Sequence, residues 1–515
     1  MKILDNKILL IDTQQPDDIL SRIQKSAVVE SGEVAVRWGL DEAQALTKLK
    51  LEGVPSPIDR DYKWTGKLTP YEHQKITSGF LTLNPKAFCF NEQGTGKTAS
   101  VIWAADYLMK IGKVKRVLVL CPLSIMKSAW QQDLFKFAMH RSCSVAHGSS
   151  DVRRKIIKAN SDFVIINFDG LAVVKDEIMA GGFDMIVVDE ANAYKNSMTT
   201  RWKILNEVAK NVPYLWMLTG TPAAQSPVDA YGLAKLVAPD NVPKYYGSFR
   251  DRVMYKISNF KWIPKPTAKE TVFDALQPAI RFEKDQCLDL PPLTYIERSA
   301  PLTKMQIGFY KLLKAEMSFE AAGEEVIAQN AATQINKLLQ ISGGAVYTDT
   351  REVVEFDVSN RLNVVLEVVE ESSHKVLIFV PFTHTIALLE RALTKAGITT
   401  AVINGKVSVN KRTEIVTDFQ TTPTVRVLII QPQAASHGLT LTAANTIIWY
   451  APVTSVETYL QANARINRPG QHNPMTIVHI QGSEVEAKLY SMLQNNVLNH
   501  EKIIELYRQE LVDTV

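Results

Sequence analysis

Along much of the chain, short apolar runs rich in β-branched residues alternate with stretches whose apolar positions recur every three or four residues. Val117–Cys121, Phe163–Asn167, Met185–Asp189 and Tyr214–Thr219 are runs of the first kind, and Val376–Val380, Val425–Ile430 and Thr446–Tyr450 form a second group. Almost unbroken hydrophobicity over such a length marks a strand covered on both faces, as in a parallel sheet between helices. The intervening patterns, Thr98–Ile111 and Thr385–Ala396 among them, have helical spacing. The alternation occupies about 86–221 and resumes over about 375–480, which predicts an α/β protein with two parallel-sheet lobes in tandem. Between them Lys304–Glu324 and Ala328–Ile341 read as helices, so helical insertions are expected there, with Asp289-Leu290-Pro291-Pro292 as a hinge. The start differs: strands in Lys2–Thr13 and Glu33–Gly39, a helix over Asp41–Leu51 and a linker at Pro55-Ser56-Pro57 predict a small N-terminal α+β extension. The expected divisions are 1–64, 65–222, 223–294, 295–374 and 375–515.

Composition narrows the class without deciding it. The 515 residues are 46% hydrophobic and 22% charged, which fits globular domains and excludes a disordered, collagen-like or coiled-coil chain. The four cysteines are far apart and form no C-x-x-C pair, so neither a disulfide framework nor a zinc site is expected. No apolar run is long enough for a membrane span, and the first residues lack a signal-peptide pattern. A cytoplasmic protein, of a bacterium or of a virus-infected host, is the expectation. A net charge of +4 allows a nucleic-acid binder and demands none.

Chemistry enters at Asn91-Glu92-Gln93-Gly94-Thr95-Gly96-Lys97-Thr98, between a strand at Ala87–Phe90 and a helix. Gly94 and Gly96 let the backbone curl so that successive N–H groups, Thr95 included, point at phosphate oxygens, and the helix start adds its partial positive charge. Lys97 would reach the β- and γ-phosphates and Thr98 would ligate Mg²⁺. Asn91 stands where the general pattern has glycine, and asparagine tolerates a left-handed backbone. Ninety-two residues after Lys97, the strand Met185–Val188 ends in Asp189-Glu190-Ala191-Asn192. Asp189 would hold Mg²⁺ and Glu190 would orient or deprotonate the attacking water.

These motifs and those around them resemble helicase superfamily two, and within it the Swi/Snf-type DNA-dependent ATPases, with the compact annealing or fork-remodelling enzymes closest in look. Leu68-Thr69-Pro70-Tyr71-Glu72-His73-Gln74 is similar to the family's Q-type motif, and Cys121-Pro122-Leu123-Ser124 followed by Trp130 to motif Ia. Asp189–Asn192 resembles motif II and Leu218-Thr219-Gly220-Thr221-Pro222 motif III. Leu276-Gln277-Pro278, Arg281 and Asp289–Pro292 resemble the segment crossing between lobes. His437–Asn445 resembles motif V, and Gln461, Arg465, Arg468, Gly470 and Gln471 match the spacing of motif VI. The likeness covers about residues 65–490.

The resemblance implies two RecA-like lobes, ATP and Mg²⁺ as cofactors, and DNA-stimulated hydrolysis driving movement along duplex DNA. It makes Gln74 the adenine contact and adds Gly438 to the nucleotide-binding residues. Gln461, Arg465 and Arg468 become catalytic, the two guanidiniums stabilising γ-phosphoryl charge from a helix following Thr454–Tyr459. DNA would be gripped by loops after strands, at Pro122 and Ser124, Asn167, Phe382 and Thr383, and Ser436 and Thr440. Lys110, Lys113, Lys115 and Arg116, and Arg153, Arg154, Lys155 and Lys158, read instead as solvated helix faces. The expected partner is duplex or branched DNA, with residues 1–64 a possible junction reader, and a monomer suffices because one chain carries every motif. Replication, repair or transcription proteins are further candidate partners, and a motor acting on RNA polymerase is the alternative function.

Overall fold

The computed structural model describes the chain except residues 67, 224–225, 259–261, 322–327, 348–352, 436–438, 496–501, 503–505, 507–508 and 510–515. It divides into two compact units, Met1–Cys287 and Leu288–Val515.

In the first unit five expected apolar runs and two further segments form a parallel sheet of seven strands. Its order is Ala279–Ile280, Lys86–Cys89, Tyr214–Leu218, Met185–Asp189, Val117–Cys121, Phe163–Asn167 and Cys143–Ala146. Alternate residues feed opposite cores. Leu118 and Leu120 enter one with Val164 and Ile186, while Val117, Val119 and Cys121 enter the other with Trp103 and Trp216. This two-sided burial is why the runs lack polar alternation. The segment 223–294, expected to be helical, also supplies the antiparallel pair Met254–Lys256 and Trp262–Pro264 and the sheet strand Ala279–Ile280.

A separate antiparallel sheet, ordered Lys2–Leu4, Ile8–Ile11, Val34–Arg37 and Ser26–Val28, packs with the helices Pro16–Arg22 and Leu40–Lys48 around Leu9, Ile19, Val36 and Leu46. This is the α+β extension, with a helix and a strand the sequence pattern did not reveal. Pro55-Ser56-Pro57 is not a loose linker. Ser56 is buried, its hydroxyl 2.7 Å from that of Thr82, and the Trp38 indole donates to the Pro55 carbonyl at 2.9 Å. Tyr62, just beyond, donates to the buried Asp106 at 2.7 Å, so the extension is fastened to the first lobe.

The second unit has a six-stranded parallel sheet ordered Leu293–Ser299, Met475–Gln481, Ala444–Trp449, Lys375–Phe379, Val427–Ile430 and Thr400–Ile403. Leu377 and Phe379 face one core, Val376 and Ile378 the other. Two polar insertions interrupt these cores. Arg361 and Glu486, 2% and 0% exposed, pair at 2.7 Å, and Glu486 also accepts the N–H groups of Gly482 and Ser483. His479, wholly buried on Met475–Gln481, stacks on Tyr490 at 4.1 Å and shares a 2.9 Å hydrogen bond with the Tyr459 hydroxyl. Its Nδ1 has no partner among the described residues, and burial pushes its pKa down to about 4. An unfolded imidazole titrates near 6.5, so between these values the unfolded chain binds the extra proton. The stabilisation is complete above that range and is lost as pH falls through it. From about pH 7.5 to about pH 5 the second unit should lose about 2 kcal/mol from this group, read by urea denaturation. His479→Phe should flatten that slope, and a slope unchanged in the variant would exonerate the histidine.

Candidate nucleotide site

The strands set the site's geometry. Leu218 pairs with Cys89 on one side and with Asp189 on the other, so three chain segments leave the carboxyl edge of the sheet at one level. Those segments are the loop Asn91–Gly96, the turn Thr219–Thr221 and the Asp189-Glu190 pair. The carboxyl edge of a parallel sheet is where such folds place their ligands.

Gly94 and Gly96 both take positive φ, 88° and 81°, and Gly96 is the residue preceding the helix Lys97–Lys110. A Cβ on Gly96 would also meet the end of the flexible Gln74 side chain, but it is the positive φ that calls for glycine there. The Lys97 ammonium donates to the carbonyls of Asn91 at 2.7 Å and Glu92 at 3.1 Å. Thr98 follows on the first helical turn, half-buried. Gln74 and His73 brace the loop from behind, each 3.1 Å or less from the Thr95 carbonyl, and the Gln74 side chain also accepts the Tyr71 N–H at 3.0 Å.

Asn91 does not take the left-handed backbone that its place in the motif suggested. It is wholly buried and used for its side chain. The amide donates to the Thr77 hydroxyl at 2.8 Å and accepts the Phe282 N–H at 3.0 Å. Glu92 continues this clasp: its N–H donates to the Phe282 carbonyl at 2.9 Å, its carboxylate accepts the Lys284 N–H at 3.0 Å, and Arg281 lies 3.8 Å away. The loop's outer wall is thus built from the segment just after the strand Ala279–Ile280.

Asp189 ends its strand half-buried. Desolvation pushes its pKa up, opposed by a 2.8 Å hydrogen bond from the Trp130 indole, by the Lys97 charge and by the Glu190 N–H at 3.0 Å. A carboxylate at a strand end, hydrogen-bonded on both oxygens and within electrostatic reach of Lys97, has the chemistry of a hard-cation ligand. Among the described residues no group of three His, Cys, Asp or Glu side chains could hold a metal. Mg²⁺ keeps waters and phosphate oxygens around one or two protein ligands. Glu190 stands at φ 54°, in the left-handed region, and Asn192 is anchored to Thr221 through its carbonyl and hydroxyl at 3.0 and 3.2 Å. Trp130 was assigned no role from sequence, since its partner lies 59 residues away.

In the second unit the helix Val456–Asn463 ends before Arg465 and Arg468, so the pair sits on the following turns and not on a helix face. Their guanidiniums converge nonetheless: both donate to the Leu439 carbonyl, at 3.2 and 3.1 Å, and Arg468 reaches the Thr440 hydroxyl at 2.7 Å. Gln461 is buried on the helix and donates to Glu457 at 3.2 Å. Gly438 and Ser436 lie outside the described residues. Of the other residues expected at DNA, Pro122 precedes a short 3₁₀ turn that holds Ser124. Asn167 ends a strand and accepts from Arg153 at 3.0 Å, and Phe382 precedes a helix that begins at Thr383.

Replacing Asn91 by alanine removes the amide that fastens Phe282. In hydrogen–deuterium exchange the amides of 279–284 should then exchange about tenfold faster or more, the loss of a buried hydrogen bond worth about 1.4 kcal/mol. Unaltered protection there would mean that Glu92 alone holds the wall.

The SNF2-related domain family matches residues 63–343, and the helicase conserved C-terminal domain matches 360–470. The chromodomain-helicase-DNA-binding protein 1-like of Mus musculus is 26% identical over 435 residues, covering 81% of this chain and 47% of its own. A protein, p41, of Acyrthosiphon pisum secondary endosymbiont phage 1 is 25% identical over 443 residues, covering 80% of this chain and 92% of its own. The chain spans about half the length of the mouse and zebrafish relatives it matches. A solved structure of the Sulfolobus solfataricus SWI2/SNF2 ATPase core in complex with dsDNA is 22% identical, covers 88% of this chain and 98% of its own, and has a TM-score of 0.42. With more than half of its residues matched, the chain belongs to the SNF2-related domain family.

Proposed function

We propose that the protein is a DNA-dependent ATPase that moves along duplex DNA and remodels branched DNA. The observation that carries the reading is the alignment of Lys97 and Asp189 at one sheet edge, behind a loop already curled for phosphate. In it Lys97 and the loop N–H groups, those of Gly94, Thr95 and Gly96 included, hold the nucleotide's phosphates, and Thr98 and Asp189 hold Mg²⁺. Gln74, beside the loop, is the base contact. Bound Mg²⁺ would supply charge stabilisation on the phosphoryl oxygens. Glu190 orients water for attack, and Arg465 and Arg468, with Gln461 beside them, answer the charge that develops on the γ-phosphoryl group. Gly438 belongs to the same nucleotide-binding set.

DNA is the proposed track, and the mouse relative carries DNA binding in its name. Pro122, Ser124 and Asn167 in the first lobe, and Phe382, Thr383, Ser436 and Thr440 in the second unit, grip its backbone through N–H and hydroxyl groups. Preference for branched DNA is assigned to the N-terminal extension. A cleft of about 790 Å³ between its sheet and the first lobe is lined by Lys7, Lys25, Arg37, Arg60 and Lys113 and by the acids Asp5, Asp41, Glu42 and Asp61, of which Asp61 pairs with Arg60 at 2.6 Å. Lys113 is held by Asp41 at 2.6 Å, whereas Lys25 reaches Glu42 only at 3.8 Å.

ATP turnover should rise on adding duplex or forked DNA, and an ATPase indifferent to DNA would refute the reading. Lys97→Ala and Glu190→Gln should each lower turnover by about 10²-fold or more, while the Glu190 variant still binds ATP in a fluorescent-nucleotide titration. The double change Lys25→Glu and Arg37→Glu should weaken binding to forks more than to plain duplex, measured by anisotropy. Equal loss on both would remove the extension from junction recognition.

A further inference from the structure

Several residues of the basic clusters legible in the sequence are used internally. Arg116 donates to the carbonyls of Ile157, Ser161 and Gly181, and Lys113 pairs with Asp41. Arg153 is tied to Gly148 and Asn167, and Arg154 pairs with Glu177 at 2.8 Å. Another positive patch of the first unit lies on and beside the helix Tyr246–Val253 and the strands Met254–Lys256 and Trp262–Pro264. The described residues of 244–269 hold six basic side chains and one acidic, a net +5 where the whole chain has +4. The one acid, Asp251, is paired with Arg250 at 3.4 Å.

The same surface exposes aromatic rings. Tyr245 is 66% exposed and Tyr255 49%, with Tyr246 at 41%. Cations lie over them: Lys244 is 5.5 Å from the Tyr245 ring and Lys265 5.0 Å from that of Tyr255. Helix and strands form one built surface. Arg250 stacks on Trp262 at 3.9 Å, and Lys265 donates to the backbone of Asp251 at 2.5 Å and of Val253 at 2.9 Å. Large rings left in water cost apolar hydration, and ammonium groups held near them put positive charge where a stacked strand would carry its phosphates.

We propose that this surface binds an unpaired nucleic-acid strand, its bases stacking on Tyr245 and Tyr255 and its phosphates meeting Lys244, Arg252, Lys256 and Lys265. Exposed rings interleaved with cations suit splayed bases, because every base has a π-face and a duplex keeps those faces stacked internally. A uniformly basic surface would serve duplex phosphate equally well, and a purely apolar one would favour protein. The inference extends the reading of the protein as a motor on branched DNA, where unpaired arms occur, and rests on it for its biological sense.

The test uses the full chain without nucleotide, with labelled oligo(dT), oligo(rU), a plain duplex and a fork with single-stranded arms, followed by anisotropy. Tyr245→Ala with Tyr255→Ala should weaken oligo(dT) and armed-fork binding about tenfold or more, and leave plain duplex within about twofold. Lys244→Glu with Lys256→Glu should lower the slope of log affinity against log salt on oligo(dT) by about 1.4. A comparable effect on oligo(rU) assigns the surface to either nucleic acid, and an effect on oligo(dT) alone to DNA. Wild-type affinity of the tyrosine variant for both single strands would overturn the proposal and leave the patch to a protein. Equal loss on duplex and single strand would overturn it too, as a general phosphate contact. All four positions are exposed, so unchanged thermal melting should accompany these effects. DNA stimulation of ATP turnover is read separately: its absence with strand binding intact would fail the motor reading and spare this one.

Discussion

The first lobe depends on strand register. Because side chains alternate across a strand, a slip of one residue would turn every core position of that strand to the wrong face. In the run Val117–Cys121 both faces are buried, so either slip would present each core with the wrong set of volumes. The level at which Cys89, Leu218 and Asp189 leave the sheet is therefore dictated by packing. Lys97 and Asp189 stand within electrostatic range as a consequence of hydrophobic burial some residues below them.

What the sheet positions coarsely, short polar ties make rigid. The loop Asn91–Gly96 is gripped behind by His73 and Gln74, and outside by the backbone of Phe282 and Lys284. Trp130 aims one oxygen of Asp189 and the Glu190 N–H the other. Each tie is a single hydrogen bond worth about 1 kcal/mol net, yet together they fix the loop and the carboxyl group before any ligand arrives.

The legible part of this molecule was its centre. Buried strands such as Met185–Asp189 announce themselves through unbroken hydrophobicity, and the Gly-x-Gly-Lys-Thr turn through residue types that little else requires. Strands at or near the sheet margins were missed. Leu293–Ser299, with Glu297 and Arg298, is mostly exposed, and Thr400–Ile403 and Cys143–Ala146 are half-buried. Such strands need no continuous apolar run. Met475–Gln481 was hidden for another reason, since His479 interrupts a pattern that the fold buries regardless. Asn91 illustrates the deeper limit. Its partners Thr77 and Phe282 lie 14 and 191 residues away, so local spacing carried no trace of its task.

The buried pair of Arg361 and Glu486 carries a consequence for how this sequence can change. Losing either partner alone leaves an uncompensated charge in the core, at about 3–5 kcal/mol, a large part of a domain's whole stability. Replacing both with well-packed apolar residues can be neutral. Two acceptable states are therefore separated by intermediates that fold poorly, and divergence at positions 361 and 486 has to proceed by paired steps or by prior stabilisation elsewhere. The salt bridge acts as a ratchet on descent: simple to retain, costly to leave one residue at a time.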